Sequence, residues 1–508
     1  MKLSVIALFA ALALLLGALA GCATAPADTT TPVKPDRTTP ADSAPSYEDF
    51  GGEELRVSVS ANQDSETTFP AQDRYLIGPD ALGEDPVQNL VFRRNRAIAR
   101  DLNLAVRYET TDLSVGEVHK DVEAKVLSSA QDVPDVYIND ARGLSFAMVS
   151  GYLRNLLVPG EGERSYFDFT QSYWYTEYME GATLDPSKQY LAAGDCFLDL
   201  IRFAWVFYVN LDLFDETFGT TGYDSHALYQ NILEGSWDYD QLRYLCEQAF
   251  RDSGNMGETE RTDPQLGLVV PHLFSWVCCW SSGTDVIDLS GATPQVIENN
   301  VGMNRLCDKF RELYQTAGVC HVTGNPDVLE ATLLFLDNTS LFALSVMGEM
   351  ESETVRSAPF RKGLTPLPKF DRDYQEQYHT AVHNQAEVAS LLNTTDHFTA
   401  ASAYLQALCA SSTEILHEYY ENTLKYKYND DKETKAIIDL VHDSVDSPFS
   451  VLISRLVYAR TSSKTLLWDL LTRAAENQSN SFQSDYASYY PELKSALEKL
   501  FSEFAALE

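Results

Sequence analysis

The sequence predicts an α/β protein of two lobes, each with an open, largely parallel sheet flanked by helices, and a helical carboxyl-terminal part. Short β-branched or apolar runs alternate with amphipathic helical stretches, an order that is typical of parallel strands joined by helical crossovers. The alternation occurs in two separate series, and nearly everything after Asp396 has helical periodicity.

The first series begins with LRVSVS at 55–60, where apolar and polar residues alternate as in a half-buried strand. Helices are expected at 87–103 and 118–129, and strands at 104–108 and 135–138. Their β-α-β-α-β order predicts three neighbouring parallel strands.

The second series predicts another sheet. Its strands are expected at 206–211, 266–270, 341–346 and 364–367. One helix is expected at 238–250. It directly follows Trp237, whose side chain we expect to have a structural packing role. A second helix is indicated by apolar residues at helical spacing, which are Met303, Leu306, Phe310 and Leu313.

The amino terminus predicts export and a lipid anchor. Lys2 precedes an apolar stretch over 3–20 that ends in small residues, as in a secretory signal. Leu19-Ala20-Gly21-Cys22 resembles the bacterial lipobox, in which the cysteine is acylated and becomes the mature N-terminus. We therefore expect a signal peptide at 1–21 and a diacylated Cys22; a plain cleaved signal is the alternative.

Composition limits the remaining possibilities. Residues 22–52 are rich in Pro, Thr, Ala and Asp and predict a flexible linker without a core. The length of 508 residues allows two or three domains. The net charge of −36 argues against binding to nucleic acid or anionic surfaces.

Seven of the eight cysteines follow Cys22, so at least one thiol is unpaired. Most of them lie in apolar patterns, which predicts buried free thiols and leads us to the hypothesis of an anaerobic habitat. There is no paired CxxC, and we expect neither zinc nor a cofactor.

A series of short motifs after Gly52 resembles the carbohydrate-type, maltose-binding-protein-like solute receptors of bacterial ABC importers, in particular their large clostridial-type lipoprotein members. The motifs keep the order and spacing of that family, and they are FRRN (92–95) with AVRY (105–108), PDVY (134–137) with SGYLRNL (150–156), YFDF (166–169) with Trp174, QY (189–190), GD (194–195), YVN (208–210), GSWDYDQL (235–242), ALSVMG (343–348), PLPK (366–369), and YY (419–420) with LKYKY (424–428).

The resemblance implies a type II periplasmic-binding-protein fold, with solute bound between two lobes that close about a hinge. By this analogy lobe 1 contains 53–202 and 382–416, and lobe 2 contains 203–381 and 417–508. It also implies a monomer that delivers its solute to membrane permease subunits.

Ligands of open α/β sheets bind at the carboxyl ends of strands. Two groups of polar residues follow predicted strands: Asn62, Gln63 and Asp64, and then Asn139, Asp140 and Arg142. An Asx-type turn is an equal alternative for the first group. In the second, a carboxylate and a guanidinium can bind vicinal hydroxyls, and the family often uses an Asp-Arg pair there. Ala141 separates the two here, and the aromatic residue of the maltose-type loop is missing.

Aromatic and apolar residues complete the predicted site. Trp205 either lines the cleft or packs in the core, and alternation along the strand favours the core. Met350 stands where the maltose-type branch has a stacking tryptophan, and the glutamate of that branch is replaced by apolar residues, so maltodextrins are not implied. Trp280 precedes Ser-Ser-Gly at a helix end and is expected at the cleft, and Trp276 is expected to point to the core; a core position for both tryptophans is an equal alternative.

Two other patterns are interpreted as structural. His379 and His383 have a spacing that binds metal on a helix, but a strand or hinge with solvated histidines is favoured, since there is no HExxH. The acidic stretch 252–263 lacks the oxygen spacing of an EF-hand and is expected to be a surface loop.

The sequence thus predicts a receptor, not an enzyme, for a sugar or oligosaccharide at the outer face of the bacterial membrane. A receptor for a peptide or polyamine is the first alternative, because an acidic cleft suits cations. A lipid-anchored glycan-degrading enzyme is the second, since 74 acidic residues can supply two facing carboxylates, although no catalytic signature is visible.

Overall fold

Eleven strands in the described residues form two mixed sheets and a small hairpin in the computed structural model. The structure describes residues 46–61, 73–114, 116–128, 133–251, 265–284, 286–288, 293–322, 327–427, 432–445, 449–463, 467–477 and 479–507. The strands are β1 (Glu53–Ser60), β2 (Leu104–Thr111), β3 (Val136–Asp140), β4 (Trp205–Asn210), β5 (Leu266–Val270), β6 (Ile287–Asp288), β7 (Gln295–Val296), β8 (Val319–His321), β9 (Ser340–Val346), β10 (Lys362–Thr365) and β11 (Glu387–Leu391).

The first lobe is built on a sheet of order β11-β3-β1-β2. Strand β1 pairs in parallel with β2 and β3, as predicted, whereas β11 pairs antiparallel to β3. All five residues of β3 are buried, which is typical of a strand covered on both faces. The helices of this part of the chain are α1 (Asp73–Leu76), α2 (Pro86–Asp101), α3 (Val118–Leu127), α4 (Ala141–Val149), α5 (Thr176–Glu180) and α6 (Asp199–Arg202).

The second lobe is built on a sheet of order β10-β4-β9-β5-β8. Strand β5 is parallel to β8 and β9, and β4 is antiparallel to β9 and β10. Its helices are α7 (Leu211–Phe218), α8 (Ser225–Leu233), α9 (Tyr239–Ala249), α10 (Phe274–Ser281), α11 (Val301–Tyr314), α12 (Asp327–Leu336) and α13 (Glu353–Arg356), and two 3-10 helices lie at Gly219–Thr221 and Met347–Glu351.

Polar residues at the ends of strands and loops begin several of these helices. Asp85 accepts hydrogen bonds from the amides of Val87 and Gln88, and Pro86 occupies the first turn of α2. Asp140, the last residue of β3, accepts from Gly143 N at 2.6 Å and so begins α4. The same capping is provided by Asn210, Asp238 and Asn300.

Three chain segments lie side by side where the lobes meet. One isolated β-bridge joins Ala204 to Val382, and another joins Thr380 to Val445. Short paired segments between two packed lobes are the usual construction of a hinge. The segment around 380–383 is non-helical, as predicted.

The carboxyl-terminal part is helical in its described residues, as predicted. Two of its helices pack on the lobes: α17 (Phe449–Arg460) contacts α4 of the first lobe, and α19 (Phe482–Ala505) contacts α4 as well as α11 and β7. Lys188 Nζ also donates to the carbonyl of Ala505 at 2.9 Å. The proposed lobe boundaries stay a prediction. The elements are α14 (Phe398–Ala410), α15 (Thr413–His417), a π-helical segment (Glu418–Lys427), α16 (Lys432–Asp443), α17 (Phe449–Arg460), α18 (Leu467–Glu476) and α19 (Phe482–Ala505).

Buried side chains confirm two packing predictions. Trp237 is fully buried and donates from Nε1 to the carbonyl of Pro366 at 2.9 Å. The seven cysteines of the described residues are buried and form no disulfide with one another, and the Sγ atoms of Cys196 and Cys409 lie 2.9 Å apart.

Candidate functional site

Aromatic rings from both sides of the hinge meet in one cluster. Trp205 begins β4, Trp276 lies on α10, and His383 follows Val382, which pairs with Ala204 at the hinge. Their ring centroids are 5.8 Å apart for the two tryptophans, 5.6 Å for Trp205 and His383, and 5.5 Å for Trp276 and His383. Alternation along β4 puts Trp205 and Phe207 on the face that is covered by α10.

The carboxyl-terminal helices add another tryptophan to this cluster. Trp468 on α18 lies 6.3 Å from Trp276 and 6.0 Å from Trp280 between ring centroids, with edge-to-face angles of 73° and 79°. Four of the six tryptophans in the chain are therefore connected. We call Trp205, Trp276, Trp280, His383 and Trp468 the aromatic cluster.

The aromatic cluster contains unsatisfied hydrogen-bond donors. The Nε1 atoms of Trp205, Trp276 and Trp280 are buried and have no hydrogen-bond partner in the described part of the chain, although the side chains are only 0%, 1% and 8% exposed. A buried donor without a partner costs about 1–3 kcal/mol, and such groups are rare in folded proteins. The cluster thus offers apolar faces together with N–H groups that remain free to donate.

Two arginines border the aromatic cluster. The Arg455 guanidinium lies 4.8 Å above the Trp468 ring. Burial and, next, the charge of Arg142 lower the pKa of Arg455 to about 10, against the opposing effects of Asp469 and Tyr458. Burial also lowers the pKa of Arg142, and nearby Asp140 opposes that shift. Both arginines stay charged at neutral pH.

His383 is a neutral member of the cluster. Burial, followed by the charges of Arg455 and Arg142, lowers its pKa to about 3. Nδ1 accepts a hydrogen bond from Gln385 N at 3.3 Å, so the ring proton belongs on Nε2. The side chain is 8% exposed, and the prediction of a solvated His383 was therefore wrong. The sequence pattern shows two spaced histidines but not the tryptophans that bury one of them.

The predicted site residues at the end of β3 have structural partners. Asn139 is 2% exposed and donates from Nδ2 to Thr111 Oγ1 at 3.3 Å. Asp140 caps α4, and its charge opposes the lowering of the Arg142 pKa. The backbone N–H of Arg142 donates to the carbonyl of Asn384, the residue after His383, at 3.1 Å, which brings Arg142 to the aromatic cluster.

The other predicted site residues divide into three groups. Trp205 and Trp280 belong to the aromatic cluster. Met350 is buried in the 3-10 helix after β9, where it lines a small cavity with Tyr208. The Tyr208 side chain projects from the face of β4 opposite Trp205. Met350 therefore lies apart from the aromatic cluster. Asn62, Gln63 and Asp64 lie outside the described residues, as do Cys22 and the stretch 252–263.

Sequence reasoning missed Arg455 and Trp468 entirely, because nothing in their local pattern distinguishes them from ordinary residues of amphipathic helices. Trp276 is buried as predicted, but it contacts Trp205, His383 and Trp468 at the lobe junction.

A buried charge network surrounds Arg202, two residues before Ala204 of the hinge. Arg202 is fully buried and pairs with Asp199 at 2.7 Å and with Glu351 at 2.8 Å. Burial, with the neighbouring Asp199 charge, raises the pKa of Glu387 well above its usual range. This network also escaped the sequence analysis, since its members are scattered over almost 200 residues.

The described residues contain no group of three or more His, Cys, Asp or Glu side chains arranged to hold a metal ion. In the same ranges no helix has the length and apolar character needed to cross a membrane.

Two mixed α/β sheets, a hinge of adjacent crossings and a cluster between them define a two-lobed, maltose-binding-protein-like fold. Solved structures share it. The sugar-binding protein MalE from Xanthomonas citri has a TM-score of 0.56 and 11% identity over 90% of this chain and 100% of that chain. The cyclic alpha-maltosyl-1,6-maltose binding protein from Arthrobacter globiformis has a TM-score of 0.54 and 13% identity over 89% and 99%.

A third solved structure is the galacto-N-biose-/lacto-N-biose I-binding protein of the ABC transporter from Bifidobacterium longum, in complex with lacto-N-biose. Its TM-score is 0.53, with 11% identity over 91% of this chain and 100% of that chain. No protein-family model and no curated protein matches the sequence. The likeness confirms the predicted fold.

Proposed function

We propose that this protein is a lipid-anchored extracellular receptor that binds a sugar or oligosaccharide between its lobes and delivers it to the permease of an ABC importer. The observation that carries the proposal is the aromatic cluster at the lobe junction, with three buried indole N–H groups that have no partner among the described residues. The three solved structures with the same fold, whose names describe sugar binding, support it.

The chemistry of the cluster suits a carbohydrate. An indole face packs against the C–H side of a sugar ring, while its N–H donates to a hydroxyl oxygen. We propose Arg142, Trp205 and Trp280 as ligand contacts from the predicted set, and Trp276, His383 and Trp468 as further contacts. Asn62, Gln63 and Asp64, together with Asn139, Asp140 and Met350, stay predictions.

The remaining features of the proposal come from the sequence. Cys22 carries the lipid, residues 22–52 form the tether, and the folded part works outside the cytoplasm. The receptor acts as a monomer, with no covalent step and no cofactor. Two lobes with the boundaries given above close around the solute.

A thermal-shift screen tests the proposal. The soluble protein from residue 46 onward is mixed separately with neutral and acidic mono- and oligosaccharides, peptides and polyamines. A ligand present at 100 times its Kd stabilises the folded state by about 2.7 kcal/mol, so a true solute raises the melting temperature. If only peptides or polyamines raise the melting temperature, the protein is a receptor for that class of solute and not for a sugar. Release of products from a glycan would indicate a glycan-degrading enzyme.

Two further measurements address closure and anchoring. The radius of gyration from X-ray scattering should fall when the stabilising solute is added, and an unchanged radius at saturation contradicts lobe closure. Full-length protein should incorporate a fatty-acid analogue in cells, and Cys22→Ser should not. Label on Cys22→Ser protein would overturn the anchor assignment.

A further inference from the structure

Two positively charged side chains approach each other at the proposed binding site. Arg142 lies in the first turn of α4, directly after β3 of the first lobe, and Arg455 lies on α17. Helix α17 packs on α4. The two guanidinium groups are close enough for the charge of Arg142 to lower the pKa of Arg455, and both lower the pKa of His383.

Neither arginine has a counterion within the described residues. Neither guanidinium forms an ion pair or a hydrogen bond there, and Arg455 Nε is buried without a partner. Other arginines in the chain, including Arg202, Arg361 and Arg460, are paired with carboxylates. The chain has 74 acidic and 38 basic residues, yet no carboxylate of the described residues forms an ion pair with either of these two arginines.

The nearby carboxylates are Asp140 and Asp469. Asp140 Oδ1 accepts from Gly143 N as the cap of α4. Asp469 lies on α18, and its charge opposes the lowering of the Arg455 pKa. Burial still outweighs both carboxylates, since the pKa of each arginine remains lowered. The described residues therefore leave these two charges incompletely compensated.

We infer that the solute is an acidic sugar whose oxyanion, a carboxylate or a sulfate ester, is bound by Arg142 and Arg455 while its ring packs on the aromatic cluster. This inference rests on the proposed receptor function. A guanidinium presents paired N–H donors that match the two oxygens of such a group. Arg455 is already held against the Trp468 ring, so an oxyanion bound there places the attached sugar beside Trp468 and Trp280.

The same arrangement disfavours a cationic solute. A polyamine is attracted by the overall charge of −36, but at the lobe junction it would meet two arginines. The local charge of the site thus has the opposite sign to that of the whole chain, and the local charge decides which bound group is stabilised.

Isothermal titration with matched probes tests the inference. The probes are digalacturonate, galactobiose as its neutral counterpart, sulfated galactobiose, sodium acetate and sodium sulfate. We expect one of the two acidic disaccharides to bind at least about 10-fold more tightly than galactobiose, because hydrogen bonds to charged groups are the strong ones. Which of them binds distinguishes a carboxylate from a sulfate.

Variants locate the effect. Arg142→Gln and Arg455→Gln should each weaken binding of the acidic disaccharide by about 10- to 100-fold and change binding of galactobiose by less than about 3-fold. Arg473→Gln, at an exposed arginine on α18, is the matched control and should change neither. Without ligand, both site variants should melt at the wild-type temperature or above it, because they remove one of two like charges.

The other outcomes separate the two proposals. Equal binding of neutral and acidic sugars, or acidic binding that survives both arginine substitutions, overturns the inference and leaves the receptor function standing. Acetate or sulfate binding as tightly as the acidic disaccharide indicates an adventitious anion only and also overturns it. Failure of every sugar in the thermal-shift screen refutes the receptor function itself.

Discussion

Arg202 Nε donates to Glu351 Oε1 at 2.8 Å, and both side chains are buried. Arg202 ends α6, two residues before Ala204 of the hinge. Glu351 follows β9 of the second sheet. The same carboxylate accepts hydrogen bonds from the Tyr75 hydroxyl at 3.1 Å and the Tyr419 hydroxyl at 2.6 Å. A single glutamate that follows β9 of the second sheet is thus held by three donors from other parts of the chain, and this network ties the second sheet to elements of the first lobe and of the carboxyl-terminal part.

Glu351→Gln is expected to lower the free energy of unfolding by about 3 kcal/mol. Removing one charge of a buried pair leaves the other uncompensated, at a typical cost of about 3–5 kcal/mol, and Asp199 still faces Arg202 at 2.7 Å, so the lower end applies. Urea denaturation of the ligand-free protein measures the loss. Glu353→Gln, at an exposed glutamate two residues away, is the control, and an equal, small loss in both variants would contradict a role for the buried pair.

Glu387→Gln should stabilise the protein increasingly as the pH rises. Burial and Asp199 raise the pKa of Glu387 well above its usual value, and its Oε2 atom has no hydrogen-bond partner within the described ranges. Above about pH 4.3 the unfolded chain loses this proton while the folded protein keeps it, so the contribution of the wild-type residue falls with increasing pH.

Paired denaturation curves at pH 5 and pH 7 test this prediction. Relative to the wild type, Glu387→Gln should gain about 1 kcal/mol or more over that interval, since one pKa unit corresponds to about 1.4 kcal/mol. A difference that does not depend on pH would show that the Glu387 carboxyl ionises at its ordinary pKa.

His383 predicts a pH dependence of the opposite sign. Its pKa is about 3 in the folded protein, because of burial and the two arginines, and about 6.5 in an unfolded chain. The unfolded state therefore binds more protons between these values, and the stability present above pH 6.5 is lost as the pH falls toward 3. By pH 5 the loss from this group is about 2 kcal/mol.

His383→Gln should remove that share of the acid sensitivity, measured as the change in unfolding free energy between pH 7 and pH 5. His417→Gln, at an exposed histidine of α15, serves as the comparison. An unchanged slope in His383→Gln would mean that other groups cause the acid loss.

The periodic elements of the fold were predictable because each is specified locally. Strand β5 occupies the predicted residues 266–270, and α9 differs from its prediction by one residue at each end. The antiparallel strand β11, Glu387–Leu391, was missed because its EVASL sequence has no turn signal or strong alternation, and its place is determined by pairing with β3. The docking of α17 and α19 on α4 is likewise a long-range property.

The candidate site was only partly predictable for a related reason. Arg142, Trp205 and Trp280 follow from strand ends and helix ends, which topology locates. Arg455 and Trp468 reach the same place from helices more than 170 residues beyond Trp280, and their own segments show ordinary amphipathic patterns. Their function depends on tertiary packing, which local sequence does not encode in a readable form.

Trp280 provides a direct test of the aromatic cluster. The helix that carries it ends at Ser281, and Gly283 has a φ of +62°, as the Ser-Ser-Gly stop predicts. Its indole Nε1 has no partner in the described residues, and its ring contacts Trp468. Trp280→Ala is therefore expected to weaken solute binding by about 1–3 kcal/mol, the cost of losing one buried aromatic face.

Trp237→Ala is the matched control for this substitution. Trp237 is also a buried tryptophan of the second lobe, but its Nε1 donates to Pro366 O and it lies outside the aromatic cluster. Because Trp280 is only 8% exposed, both variants should lose stability, by as much as about 3–5 kcal/mol, so a falling melting temperature does not separate them. Affinity does: isothermal titration with the solute from the screen should show weaker binding for Trp280→Ala and wild-type binding for Trp237→Ala. Wild-type affinity in both would assign Trp280 to the core and remove it from the proposed site.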